Sequence, residues 1–197
     1  ENINKIKDEC MLCGIDEAGR GPLAGDLVVA GCILNRHVEG LNDSKKLTEK
    51  KREALFELII KNSTYHIVKF SASDIDNLGV SVCIKRALVE IMKNLTCSEY
   101  LFDGNSAFGV SGLKTMVKAD GKVAEVSAAS ILAKVTHDRD ILELAKKYPQ
   151  YQLEKHKGYG TALHVEMIKK HGYSEIHRKS YKLKALAPDG HTKPTLF

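Results

Sequence analysis

The sequence predicts a mixed α/β protein, one sheet with helices on its faces. Three observations carry this. Apolar, β-branched runs such as DLVVAGCIL (26–34) lack helical amphipathicity and read as strands. Between them lie stretches with apolar residues spaced three to four apart, the stripe of a packed helix. The order of the elements is strands, helix, strand, helix, strand, strand, then helices, the pattern of a mixed sheet with helices on its faces.

In chain order, an apolar run climbs to Asp16 and Glu17, and a Gly/Pro-rich turn joins it to 26–34. The pair 12–16 and 26–34 is expected to lie antiparallel in one sheet. NDSKKL (42–47) is a polar connection. Apolar residues at 54, 55, 58 and 59 predict a surface helix over 48–62 with Thr48 as its N-cap. YHIVKFS (65–71) alternates as a third strand. Ser73 and Asp76 lead into a helix carrying Val80, Ile84, Leu88, Ile91 and Leu95 on one face. EYLFD (99–103) is a short strand ending on Asp103, turned by Gly104-Asn105, and LKTMVKAD (113–120) is another ending near Asp120. Val123 to about Lys147 is Ala-rich and helix-favouring, stopped by Tyr148-Pro149. A last helix spans 160–172, closed by Gly172, and the tail APDGHTKPTLF is polar.

A chain of 197 residues is long enough for one well-cored domain and too short for two. The division expected is a core over 1–147 and a helical extension with its tail over 148–197. No apolar run approaches the ~20 residues that span a bilayer, and ENINKIKDEC lacks the features of a signal peptide. Five cysteines, an odd number without a secretion signal, point to reduced thiols and a cytoplasmic protein. Cys10 and Cys13 form a CxxC, but no second CxxC or CxxH completes a zinc site.

Three acids share one kind of position. Asp16, Asp103 and Asp120 each lie at or near the end of an apolar strand, where neighbouring strands bring such ends together. Clustered carboxylates repel unless cations neutralise them, and oxygen-only ligands favour Mg2+ or Mn2+. Two such ions about 4 Å apart clamp the attacking and leaving oxygens of a phosphodiester displacement. Adjacent strand residues face opposite sides, so Glu17 is expected to join Asp16 only if the strand breaks there. Glu125, Asp138 and Asp140 compete with Asp120, and spacing does not exclude them. Gly19-x-Gly21-x-x-Ala24 also matches a dinucleotide-binding pattern. That pattern needs a helix at the turn, whereas Pro22 is followed by a strand.

Net charge is +5, and residues 146–184 hold ten Lys or Arg against three Asp or Glu, leaving the rest of the chain at −2. The same segment holds five of the seven tyrosines. Cations for phosphates and rings for sugars or bases suit a nucleic-acid surface. In HKGYGT (156–161), glycines flanking Tyr159 let the backbone approach a ligand.

GIDEAGRGPLAG, DSKKL, LFDGN, VKAD, SAASILAKVTHDRD, HKGYGT and IHRKSY, in this order, resemble the type 2 ribonucleases H, the bacterial ribonuclease HII enzymes in particular. The resemblance implies a ribonuclease H-like fold with a C-terminal helical extension. It implies cleavage of RNA in RNA/DNA hybrids and at ribonucleotides within duplex DNA, leaving 3′-hydroxyl and 5′-phosphate ends. Matched residue by residue, it makes Asp16, Glu17, Asp103 and Asp120 the metal-binding acids. Gly19, Arg20 and Gly21 become readers of the ribose 2′-hydroxyl, Tyr159 a sensor of the following sugar, and Lys46 a phosphate contact. His137 stands where Arg is common, Tyr181 where Phe is usual, and VKADG where KGD is commoner. The rival functions are a non-catalytic RNA/DNA-hybrid binding protein and a nucleotide-binding oxidoreductase. The protein is expected to act as a monomer, and Pro194-Thr195-Leu196-Phe197 resembles a weak sliding-clamp hook.

Overall fold

The computed structural model describes residues 11–41 and 46–183. Five strands form one sheet: β1 (Leu12–Ala18), β2 (Leu27–Leu34), β3 (Ser63–Phe70), β4 (Glu99–Asp103) and β5 (Leu113–Met116), in the order β3-β2-β1-β4-β5. β1 pairs antiparallel with β2, as expected, and parallel with β4. The β1–β4 ladder ends at Ile15↔Phe102. Beyond it the C-terminal ends of two parallel strands open onto a crevice, the usual place for a site in such sheets.

Two apolar layers cover the sheet. On one face, α3 (Val80–Asn94) packs Ile84, Leu88 and Ile91 against Cys13, Ile15 and Val29. On the other, α1 (Glu49–Asn62) and α4 (Ala124–Lys147) bury Leu55, Ile59, Ala128, Ile131 and Leu132 with Val28, Ala30 and Cys32. Contact on the second face is close enough to require Gly14, where a Cβ would lie 2.2 Å from the Glu125 carbonyl carbon. That closeness fixes the start of α4 against the middle of β1, just below Asp16.

Three local expectations are corrected. The helix read as entering through Ser73 and Asp76 is two helices, α2 (Ala72–Leu78) and α3, separated by Gly79 at φ +84°. The cap of α2 is Ser71, in a reciprocal capping box with Asp74, two residues earlier than the spacing suggested. Asp76 is used elsewhere, accepting hydrogen bonds from the Lys179 and Ser180 amides. The last strand stops at Met116, and Asp120 lies in a 3₁₀ turn (Ala119–Gly121) after Lys118 at φ +57°. Finally, β1 does not break at Glu17, because Glu17 and Ala18 continue the ladder opposite Val29 and Val28.

After α4, a 3₁₀ turn (Pro149–Tyr151), α5 (Leu153–His156) and α6 (Ala162–His171) pack on the β1–β2 turn. Tyr151, Leu153, Met167, Ile168 and Ile176 share a core with Leu23, Ala24 and Ile141. Thr161 caps α6 by accepting the His164 amide. Among the described residues, no helix is long and apolar enough to cross a membrane. Cys10, Asp43 to Lys45 and the tail hook 194–197 lie outside the described residues.

Candidate active site

The crevice at the ends of β1 and β4 is a cleft of about 540 Å3 lined by both acids and cations. Asp16 is 9% exposed, its Oδ1 accepting the Glu17 amide at 2.8 Å and its side chain bonded to Ser130 of α4. Asp103 is held by two backbone amides, Lys118 N–H to Oδ1 at 3.1 Å and Asp120 N–H to Oδ2 at 3.2 Å. The left-handed Lys118 and the 3₁₀ turn are therefore what bring Asp120 to Asp103. One carboxylate oxygen each from Asp16, Asp103 and Asp120 lie within 4.8 Å of one another.

Glu17 is outside that cluster but lines the same cleft. The two neighbours on β1 both line it without a strand break, beyond the point where the β1–β4 ladder has ended. Glu17 Oε1 lies 3.8 Å from Arg20 Nη1, and Oε2 is buried with no hydrogen-bond partner.

Electrostatically the acids are mismatched to their surroundings. Burial, then the charges of Glu17 and Asp103, hold the Asp16 carboxyl well above its usual range. Burial also raises Glu17, opposed by Arg20. Converging oxygens that repel, with the orphaned buried Glu17 Oε2 lining the same cleft, fit a hard divalent cation, which neutralises the cluster and completes the oxygens' coordination. The competing acids are spent elsewhere. Asp138 pairs with Lys134 at 3.0 Å, Asp140 with Lys69 at 2.6 Å, and Glu125 lies beneath Gly14, outside the cleft lining.

Gly19, Arg20, Gly21 and Tyr159 form a second wall of the same cleft. Gly19 has φ +79°, and a Cβ there would meet the Asp26 carbonyl at 2.6 Å and the His137 ring at 2.4 Å. His137, buried beneath that turn, therefore acts as its floor. The turn is clamped by a residue that sequence reasoning did not single out. Arg178, 1% exposed, donates from Nη2 to the Gly19 carbonyl at 2.6 Å and the Gly25 carbonyl at 2.9 Å. Its Nη1 donates to the Arg20 carbonyl at 3.1 Å. The Tyr181 hydroxyl donates to the same Arg20 carbonyl at 2.7 Å, a bond that Phe there would lack. Arg52, Ser130 and Lys134 also line the cleft unanticipated. In the sequence Arg178 is one cation of a basic segment, and no local signal marks it as buried. Lys46 is exposed and lies outside the cleft lining.

Carboxylates converging at the ends of parallel strands, facing a glycine turn and cations, define a divalent-metal phosphodiesterase on a ribonuclease H-like sheet. The chain belongs to the ribonuclease HII family: the family model described as Ribonuclease HII matches residues 13–184. It is 58% identical over 186 residues to the ribonuclease HII of Sulfurovum sp. (strain NBC37-1), covering 94% of this chain and 96% of that one. Among solved structures it is similar to ribonuclease HII in the PCNA:RNase HII complex from Archaeoglobus fulgidus, with a TM-score of 0.76 at 28% identity, covering 91% and 98% of the two chains. It is also similar to ribonuclease H2 from Pyrococcus horikoshii OT3, with a TM-score of 0.75 at 28% identity, covering 87% and 94%. The protein is thus an endonuclease of the ribonuclease H class and depends on a divalent metal.

Proposed function

We propose that the protein hydrolyses RNA in RNA/DNA hybrids and nicks duplex DNA at embedded ribonucleotides, leaving 3′-hydroxyl and 5′-phosphate ends. The observation that carries this is one cleft holding both the acid cluster and a backbone turn suited to reading a sugar. Asp16, Glu17, Asp103 and Asp120 hold Mg2+ or Mn2+. Bound there, two such ions supply the charge that activates water and stabilises the leaving 3′-oxygen.

The chain's own residues do the selecting. Gly19, Arg20 and Gly21 present backbone groups to the 2′-hydroxyl, the group that separates RNA from DNA. A side chain at Gly19 is disfavoured by its positive φ and by the Asp26 carbonyl, whereas a Cβ on Gly21 would sit in ordinary contact with the Tyr159 ring at 3.7 Å. Tyr159, 42% exposed, offers its ring to the next sugar. Arg20, Arg52 and Lys134 supply positive charge to phosphates within the cleft, with Lys46 contacting the backbone farther out. Residues 1–147 form the catalytic core and 148–197 the extension that brings Tyr159 to it.

The protein works as a monomer in the cytoplasm, consistent with one chain lining the whole cleft and with Cys13, Cys32, Cys83 and Cys97 being free thiols. A contact of 194–197 with a sliding clamp is supported by the Archaeoglobus fulgidus relative, solved with PCNA.

The test is cleavage-site mapping on a duplex carrying one ribonucleotide. Wild-type protein with Mg2+ is expected to nick at that residue, while Asp16→Asn or Asp103→Asn abolishes nicking and leaves hybrid binding largely intact. Near wild-type cutting by either variant would sink the assignment.

A further inference from the structure

Tyr159 enters the cleft from an unfavourable backbone. Lys157 and Gly158 are both left-handed, at φ +53° and +85°, and a Cβ on Gly158 would lie 2.7 Å from the Ala24 carbonyl. Behind this turn sit three buried histidines, His156, His164 and His177, exposed by 7%, 0% and 1%. His156 and His164 stack with ring centroids 4.2 Å apart, and His164 Nε2 lies 3.0 Å from His177 Nε2.

The positions of the ring protons follow from the backbone. An amide N–H can only donate. The Ser174 amide points at His177 Nδ1, 3.1 Å away, and the Gly158 amide at His156 Nδ1, 3.2 Å away. Neither Nδ1 therefore carries a hydrogen, and each neutral ring is protonated at Nε2. His156 Nε2–H then donates to the Tyr151 carbonyl at 2.8 Å. His177 Nε2–H donates to His164 Nε2, which obliges His164 to carry its own proton at Nδ1. That Nδ1–H lies 3.0 Å from the Tyr159 carbonyl oxygen, which also accepts the Thr161 amide at 2.8 Å.

The geometry points to a one-directional hydrogen-bond chain, Ser174 N–H to His177 to His164 to the Tyr159 carbonyl, in which His164 and His177 are positioning residues that aim Tyr159 into the cleft. Neutrality of the rings, which the chain requires, agrees with their environment: burial and the neighbouring rings, with Lys179 near His177, hold His164 and His177 down to about 4. An added proton on either ring would set two N–H groups against each other. The functional part of this inference rests on Tyr159 being a substrate contact, whereas the proton order does not.

The experiment has two arms. Long-range 15N–1H NMR of the wild-type protein at pH 7 reads the tautomers directly. Nδ1–H is expected for His164 and Nε2–H for His156 and His177; Nε2–H at His164, or a doubly protonated ring in the pair, would overturn the chain whatever the activity. The second arm compares nicking of the single-ribonucleotide duplex by His164→Asn, whose amide can donate from the Nδ1 position, with His164→Gln and His164→Ala. The Asn variant is expected to stay within about threefold of wild-type kcat/KM, and the other two to fall roughly tenfold or more, the scale of a misplaced contact. Equal losses in all three would remove the positioning role. Should wild-type protein fail to nick, the nuclease reading fails, and the tautomers still decide the chain. A variant that does not fold leaves the wild-type arm able to reject the proposal.

Discussion

The two walls of the cleft are built on opposite electrostatic plans. On the acid wall, like charges converge within 4.8 Å, Asp16 is held high by burial and its neighbours, and Glu17 Oε2 has no partner. Behind the glycine turn and Tyr159, buried Arg178, His164 and His177 are matched donor to acceptor against carbonyls and amides, while His137 Nε2 beneath Gly19 is the unpartnered exception. The first wall stores unfavourable energy that a cation relieves. The second is pre-organised, so its loops meet a substrate without first having to order. On the function proposed, this difference makes the acids the reactive half and the glycine turn with Tyr159 the selective half.

The largest effect is expected from breaking the acid wall. Asp103→Asn should lower nicking by roughly a thousandfold or more. Asp16→Asn, whose amide oxygen still accepts the Glu17 N–H and whose NH2 can meet the Ser130 hydroxyl, should leave the metal-free protein melting no lower than wild type, because a repelling charge has gone. Added Mg2+ should raise the wild-type melting temperature and shift the variant much less. A variant that melted lower in EDTA would mean that the cluster is not under repulsion.

Next comes the other wall. Arg178→Ala leaves the Gly19 and Gly25 carbonyls without their guanidinium donor and the Arg20 carbonyl with the Tyr181 hydroxyl alone. A loss of about 3–5 kcal/mol in urea unfolding is expected. A cost below about 1 kcal/mol would show that the clamp is dispensable.

The histidines give the walls different responses to acid. His164 and His177 titrate near 4 when folded, against 6.5 for the free side chain. The unfolded chain therefore binds more protons below 6.5, and stability falls as pH drops from 6.5 toward 4. Between pH 7 and pH 5 the pair should cost roughly 2–4 kcal/mol, at about 1.4 kcal/mol per unit per ring. Urea midpoints at the two pH values measure this, and His177→Gln should flatten the slope. An unchanged slope in that variant would place the acid sensitivity elsewhere.

The smallest effect sharpens the comparison. Tyr181→Phe removes one hydroxyl bond to the Arg20 carbonyl but keeps the ring and Arg178. A loss of about 0.5–1.5 kcal/mol is expected, with a modest rise in KM for the ribonucleotide duplex. If nicking fell as far as in Asp103→Asn, the second wall would hold chemistry as well as selection.

Much of this molecule was legible along the chain. Periodicity located all five strands and the main helices, because apolar spacing of two or of three to four is a local property. Asp16 and Asp103 were readable for the same reason, as acids at the ends of apolar runs. Distances across the chain were not readable. Asp120 was one of four competing acids by spacing, and in the fold the left-handed Lys118 and a 3₁₀ turn bring it to Asp103. Glu17 reached the cleft without a strand break, beyond a β1–β4 ladder whose end depends on another strand. The Ser71 cap displaced the Ser73 reading because near-equivalent polar residues lie within one turn of each other.

The sequence by itself determined the class of elements, the acids available and the basic character of the extension, all set by residue type and local spacing. Tertiary structure alone decided which acids meet, that Arg178 is a buried clamp 159 residues from Gly19, and the hydrogen-bond partners that order the protons of His156, His164 and His177. Those are facts about partners across space, and a burial or a hydrogen bond exists only once both partners have been placed.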